Sequence, residues 1–404
     1  MISYEEARRS VFKEAQILGA EDVALDDSFR RVLAADIHSP RALPPFDNSA
    51  MDGYAVRSAD TLGELPAVLA VAWKQPAGTA RAGALAPGEC VKIMTGAPVP
   101  RDADAVVPRE DVKESAATIA VSRPVRPGEN IRRRGEDIIE GETALTKGTF
   151  LNAPCIGFLA ALGIAKVPVR LRPAVGVLTT GTEIRDVSEP LDPDSIYDSN
   201  SHALRAQIAS AGAVLSFLGT TGDDLDGTVS KLRQAAGTSR VILTTGGVSM
   251  GDHDVVRDSF DRVGARRVFW KVAQKPGMPL AFYVLEGGDG PCYLFGLPGN
   301  PGAVMIAFEE YVRPFLNLLS GRADYLAPEF EARLSREVRK KKGRLNFLRV
   351  RLSMKDGEWW AESTGEQGSA ILRSMVPADG LALVPAAAES LPAGSKVIVH
   401  RMAW

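Results

Sequence analysis

Residues 3–18 place Ala7, Val11, Phe12, Ala15 and Leu18 at helical spacing between Glu and Arg side chains, the pattern of an amphipathic helix. From about residue 46 to 144 the period shortens. The runs AVLAVAW, CVKIMTG, ADAVVP and ATIAVS alternate with Pro/Gly turns and predict a β-rich region. The stretch TALTKGTFLNAPCIGFLAALGIAKVPV returns to helix, with Asn152 as its cap and Pro154 in its first turn. This second helix is expected to pack beside the first, so that the β-rich region is an insert splitting one helical unit.

Beyond residue 171 a strand, a loop and a helix repeat. AVGVLTTG precedes SHALRAQIASAGA, VLSFLGTTGDD precedes DGTVSKLRQAAG, RVILTTGG precedes DVVRDSF, and CYLFGLPGNPG precedes AVMIAFEEYVRPFLNLL. Continuous apolar strands alternating with helices predict a parallel sheet covered on both faces. After LSGRADYLAPEF the chain reads as short strands to its end, which suggests a small barrel-like domain. The expected fold class is therefore multidomain α/β plus β. A helical unit at 1–45 and 145–170 is split by a β-rich insert at 46–144, and followed by an α/β three-layer domain at 171–325 and a small β-barrel-like domain at 326–404.

Composition narrows the function classes. A chain of 404 residues is long enough for two to four domains, and 45% hydrophobic with 24% charged residues is ordinary for globular proteins. A net charge of −2 leaves no basic footprint for nucleic acid; IRRRGED and RKKKGR are local runs that read as solvated faces. Three distant cysteines, Cys90, Cys155 and Cys292, give neither a disulfide framework nor a CxxC zinc site, and the four histidines lack metal-ligand spacing. The start, MISYEEARRS, has Glu5 and Glu6 where a signal peptide needs apolar residues, and no apolar run reaches about 18 residues. A soluble, cytoplasmic protein without nucleic-acid or membrane partners is expected.

In open α/β sheets, ligands bind beyond the carboxyl ends of the strands. Four such ends carry polar, glycine-rich loops: TTGTEI with Gly181 and Glu183, TTGDDLD with Asp223 and Asp224, TTGGVSMGDHD with Gly246, Gly247, Ser249 and Asp254, and GLPGNPGAV with Pro298, Gly299, Asn300 and Pro301. Each alone reads as a tight turn or a helix cap. Together they offer backbone N–H groups to an anion and carboxylates to a cation, which suits a phosphorylated ligand bridged by a divalent metal. No GxxxxGK[ST] or GxGxxG is present, so neither a P-loop nor a dinucleotide fold is indicated. FWKVAQKPGMPLAF adds Lys271 and Lys275, placed to meet an oxyanion. RPGENIRRRGEDI is read as pairing Arg132–Arg134 with Glu136 and Asp137. PPFDNSAMDGYAV is, on its own residues, a turn leading into a strand at Tyr54–Val56.

PPFDNSAMDGYAV, IMTGAPVP, GENIRRRGEDI, TTGTEI, YDSNSHAL, TTGGVSMGDHD, KPGMPLAF and GLPGNPGAV follow one another as they do in the MoeA family, the molybdopterin molybdenumtransferases, which includes the gephyrin E domain. The chain resembles that family over nearly its whole length. The resemblance implies insertion of molybdate into adenylylated molybdopterin with release of AMP, in a Mg2+-dependent homodimer. The active cleft would lie between protomers, with the insert of one facing the sheet domain of the other. Matching residue by residue, it implies functional roles for Asp52, Thr95, Asp137, Glu183, Asp254, Lys271, Lys275, Pro298 and Pro301. Arg349 and Ser369 of the last domain would help close the cleft. Glu183, Asp254 and either Asp223 or Asp224 would hold the metal–phosphate region; the sequence does not choose between the last two. The adenylyltransferase and molybdoenzyme apoproteins are implied as further partners.

Two departures stand out. Met278 occupies the place of a second lysine in the commoner KPGKP, and Asp252-His253 replaces Glu-Ala after GGVSxG; His253 is read as a variable loop position. The alternatives are the neighbouring adenylylation step, which resembles the sheet domain alone, and a gephyrin-like scaffold, against which the lack of a long linker argues. Tungstate shares the charge and shape of molybdate, and the sequence does not separate them.

Overall fold

The structure, a computed structural model, describes residues 1–78, 84–222, 224–246 and 255–403. Its centre is a six-stranded sheet of β1 (Ala174–Thr180), β2 (Val214–Thr221), β3 (Val241–Thr245), β4 (Arg266–Trp270), β5 (Ala281–Leu285) and β6 (Cys292–Leu297), in the order β2-β1-β3-β6-β5-β4. The β2-β1-β3-β6 half is parallel, as the strand–helix rhythm predicts. The β6-β5-β4 edge is antiparallel. The reason lies in the connections: β4 returns to β5 through the KPG turn with no crossover helix, and a short return can only be antiparallel.

Side chains leave the strands alternately for two apolar layers. Val175, Val177, Val241, Leu243, Phe282 and Phe295 face one core; Leu178, Ile242, Ala281, Tyr283 and Leu294 face the other. The helices are α1 (Tyr4–Lys13), α2 (Ala153–Ala161), α3 (Ser199–Ser210), α4 (Leu225–Ala236), α5 (Val255–Arg262), α6 (Pro301–Ala307) and α7 (Arg313–Leu319). Leu204 and Ile208 of α3, Val304 of α6 and Phe315 of α7 cover the first core, and Leu232 of α4 with Phe260 of α5 covers the second. Phe282 anchors the first, with ring centroids 4.7 Å from Phe295 and 5.8 Å from Phe315.

One expectation is corrected here. Helix α1 does not pack beside α2; its Tyr4, Ala7 and Val11 are buried in the first sheet core. Ala7 and Val11 lie on the helix face that Tyr4 also occupies, and the sheet offers that stripe a larger apolar partner than α2 does. The segments flanking the insert pair through strands instead: Ala20–Ala24 with Lys166–Arg170, and Ile37–His38 with Thr143–Leu145. Leu33, Ile37, Leu151, Leu159, Val167 and Val169 fill the core between them.

The insert is a second six-stranded sheet, running Ala105–Pro108, Gly53–Val56, Glu89–Ile93, Ala67–Gln75, Thr118–Val121 and Val112–Glu114 in spatial order. A Cβ on Gly53 would meet the Val107 carbonyl oxygen at 2.0 Å, so the strand after the DNSAMD turn can approach its neighbour only as glycine. At the other end, β7 (Glu329–Leu334), β8 (Leu345–Lys355), β9 (Glu358–Ser363), β10 (Gly380–Val384) and β11 (Lys396–Arg401) form the last domain. Strand β8 pairs with both β9 and β10, which closes the ring β8-β9-β7-β11-β10 into a five-stranded barrel. Residues Gln274–Lys275 of the KPG turn add to β8 in parallel, so the barrel is stitched to the central sheet's connection.

Candidate active site

The carboxyl ends of β1, β3 and β6 open into a cleft of about 570 Å³, a size that suits a small-molecule ligand. Of the residues singled out from sequence, Glu183, Gly246, Pro298, Gly299, Asn300 and Pro301 come together in its wall. Close backbone approach makes the floor. Gly246 has φ +87°, and a Cβ there would lie 2.7 Å from the Thr180 carbonyl oxygen; Thr180 Oγ1 donates to the Thr245 carbonyl at 3.2 Å. Gly181 also sits at positive φ, +143°. Pro301 opens α6, where its fixed φ and missing N–H cost nothing.

Sequence reasoning left out part of this wall. Asp198, Asn200, Tyr197 and Thr245 line the cleft as well. Asp198 is 8% exposed. It caps α3 by accepting from Ser201 N at 2.9 Å, and its other oxygen accepts from Thr179 Oγ1 at 3.1 Å. Asn200 Nδ2 donates to the Gly299 carbonyl at 2.9 Å and so ties two loops together. Among the described residues, the Oδ1 of Asn200 and the Oγ1 of Thr245 are buried without a hydrogen-bond partner, and both residues line the cleft. YDSNSHAL marks a helix start next to a strand end, but nothing in its residues separates a cap at a cleft from a cap in solvent.

Elsewhere the expected residues fall differently. Asp224 caps α4, accepting from Gly227 N at 2.7 Å and Asp226 N at 3.3 Å, and is not among the residues that line the cleft. Asp223, Gly247, Ser249, Asp252, His253 and Asp254 lie outside the described residues. Arg349, expected to help close the cleft, is fully buried: it donates to Gln367 Oε1 at 3.0 Å and to the Gly368 carbonyl at 3.1 Å, bracing a loop instead of facing a ligand. That loop brings Ser369 to the cleft's edge, where its Oγ receives Asn300 Nδ2 at 3.0 Å, and Ala370 joins the wall. Lys271 has φ +67° and rests its Nζ 3.8 Å from the Trp270 ring centroid, a cation–π contact. Lys275 is exposed on the strand beside the barrel. Met278 Sδ is 3.9 Å from an Arg344 guanidinium nitrogen.

The insert's residues do not enter this chain's cleft. Asp52 Oδ1 accepts from Thr95 N and Thr95 Oγ1, both at 2.7 Å. The backbone N–H of Thr95 first, then its hydroxyl, hold the Asp52 carboxyl below the usual carboxylate range. Asp137 is exposed. The expected pairing of Arg132–Arg134 with Glu136 and Asp137 is corrected: Asp47 receives Arg133 NH1 at 2.6 Å and Arg134 N at 2.7 Å, while Glu136 accepts from Arg133 N. A bidentate carboxylate from the PPFD turn outcompetes residues that follow the arginines in sequence, because the antiparallel pairing of Ile131–Arg132 with Asn48–Ser49 sets the two turns side by side.

Comparison with known proteins agrees with this architecture. The MoeA N-terminal region (domain I and II) matches residues 2–163, the probable molybdopterin binding domain matches 176–318, and the MoeA C-terminal region (domain IV) matches 331–401. A solved structure, the molybdopterin biosynthesis MoeA protein of Pyrococcus horikoshii, superposes with a TM-score of 0.83 at 32% identity, covering 100% of both chains. The fold is thus that of a multidomain molybdopterin-biosynthesis protein. Molybdopterin molybdenumtransferase 2 of Mycobacterium tuberculosis is 37% identical over 99% of each chain, and the molybdopterin molybdenumtransferase of Bacillus subtilis is 35% identical over 98% of this chain and 93% of its own. The chain belongs to the MoeA family of molybdopterin molybdenumtransferases. Among the described residues no helix is long and apolar enough to cross a membrane.

Proposed function

We propose that the protein inserts molybdenum from molybdate into adenylylated molybdopterin and releases AMP, completing the molybdenum cofactor. The observation that carries this reading is the cleft itself: in a chain of this family, polar groups at Asn200 and Thr245, buried and without partners among the described residues, stand beside glycine-lined loops at the carboxyl ends of the strands. The reaction must bring a tetrahedral oxyanion against a dithiolate, both negative. The backbone N–H groups of the cleft loops would offset that repulsion, whereas Lys271 and Lys275 are not in the cleft's lining.

Magnesium fits the donor set as a partner of substrate phosphates. Among the described residues no three His, Cys, Asp or Glu side chains converge on one point, and Mg2+ is commonly held by one or two carboxylates together with phosphate oxygens. Glu183 lies in the cleft and makes no side-chain hydrogen bond among the described residues, so it would hold the ion with the anhydride; the family resemblance gives the same role to Asp254 and to Asp223 or Asp224, of which Asp254 and Asp223 lie outside the described residues. When bound, the ion would neutralise charge on the departing AMP phosphate.

A homodimer completes the reading. Asp52, Thr95 and Asp137 are absent from this chain's cleft, and Phe46, Met51 and Met94 are 42%, 36% and 37% exposed near them in sequence. An apolar surface around a preorganised Asp–Thr pair suits contact with a second protomer, whose cleft it would reach. The test is AMP release from adenylylated molybdopterin. Release only when molybdate and Mg2+ are both supplied is expected. Release without molybdate, or none from a protein that binds the adenylylated pterin, would overturn the proposal.

A further inference from the structure

We propose that His400 is a positioning residue for the cleft: it fastens the C-terminal barrel to α1 and to the helical turn before α7, and that docking sets the two barrel-linked segments that reach the cleft at Pro279 and Ala370. The link to the cleft rests on the reading of the cleft as the reaction site. The clasp itself is read from its own geometry.

His400 lies on β11, 5% exposed. Its Nδ1 is 3.0 Å from both carboxylate oxygens of Glu310, and its Nε2 is 3.5 Å from Glu329 Oε2 on β7. Glu310 is 3% exposed and sits in a π-helical turn, Phe308–Val312, between α6 and α7. It also accepts from the Tyr4 hydroxyl of α1, and Arg8 of α1 donates to that phenol oxygen at 2.6 Å. Three distant parts of the chain therefore meet on one buried carboxylate, an arrangement that is strongly destabilised when one partner is removed. Burial pushes the Tyr4 phenol upward, which keeps it a donor.

The route from clasp to cleft is short. Tyr311, next to Glu310 in the same turn, donates to Gln274 Oε1. Gln274 Nε2 donates to the Pro276 and Gly277 carbonyls at 3.3 and 3.2 Å, which fixes the turn after Lys275. Gln274 and Lys275 pair with Leu345 and Asn346 of β8, so their backbone follows the barrel. The barrel's other contribution is the loop braced by Arg349, carrying Ser369 to Asn300. Tyr4, Glu310 and His400 do not line the cleft, so their influence on it passes through these contacts.

The test uses the intact chain with His400→Gln, Glu310→Gln and Tyr4→Phe. Amide hydrogen exchange is read over 273–278 and 366–371, with 174–180 and 241–245 as controls. His400→Gln is expected to speed exchange in the first pair about tenfold or more while the controls stay protected, and Tyr4→Phe less so. Exchange unchanged in the first pair, or raised equally in all four segments, overturns the proposal. Should His400→Gln fail to fold, Tyr4→Phe, which keeps the ring packing, decides by the same criterion. With active enzyme, a molybdate KM about tenfold higher at nearly unchanged kcat is expected, since walls move and reacting groups do not; a fall in kcat alone counts against it. If the wild type proves inactive while local exchange still responds, the reaction falls and the clasp stands.

Discussion

Removing the Asp198 carboxylate separates its two jobs from the cleft's chemistry. In Asp198→Ala, α3 loses its N-cap, worth about 1 kcal/mol. Thr179, 2% exposed, loses the acceptor for its hydroxyl; an unsatisfied buried donor costs about 1–3 kcal/mol. The sum is about 2–4 kcal/mol. Asp198→Asn keeps an oxygen for Ser201 N and an amide that the Thr179 hydroxyl can accept from, so it is expected to lose no more than about 1 kcal/mol. Urea unfolding followed by tryptophan fluorescence gives both values, with Trp270 at the end of β4 reporting the central sheet. An Ala variant within about 0.5 kcal/mol of wild type, or an Asn variant as unstable as the Ala variant, would refute the assignment of Asp198 as cap and acceptor.

Three further outcomes are expected. Gly302→Ala would place a Cβ 2.9 Å from the Ser369 carbonyl oxygen and 3.0 Å from Arg349 NH1, so it should loosen the barrel loop and lower turnover while the melting curve of the sheet core changes little; wild-type turnover would count against the loop as a wall. Asp52 is held low by Thr95, so the paired form persists above the ordinary aspartate value, about 3.9, and is lost as pH falls through the depressed one; NMR titration should show a low midpoint that rises in Thr95→Val. Burial pushes the Cys90 and Cys292 thiols up to about 12, so a thiol reagent at pH 8 should modify Cys155 well ahead of both in the folded protein; equal rates for the three would contradict the burial.

Periodicity carried the parallel half of the central sheet because β1, β3 and β6 are buried on both faces, and that leaves an unbroken apolar run in sequence. It did not carry the antiparallel edge. Arg266–Trp270 begins with two arginines and is half-exposed, so it reads as the flank of a turn. Nor did it place α1, whose helical stripe specifies a buried face but not which neighbour buries it. The glycine loops were legible through residues that only a tight turn admits, as at Gly246. Asp198 was not, because a capping carboxylate looks the same in sequence whether its helix begins at a cleft or in solvent.

The carboxylates of this protein differ in what they already bind, and that decides which of them can report on chemistry. Asp224 spends its oxygens on helix N–H groups, Asp198 spends one on a helix N–H and one on the Thr179 hydroxyl, and Asp52 spends one on Thr95. An amide at these positions preserves most of the geometry while removing the charge. Glu183 has no such engagement among the described residues, although it stands in the cleft. Neutralising it leaves no backbone donor orphaned, so Glu183→Gln should keep wild-type stability. Any loss of turnover it shows then belongs to the ligand's charge rather than to the fold. In Asp224→Ala the order reverses: the cap is lost, α4 frays, and activity falls only as far as the β2–α4 loop moves.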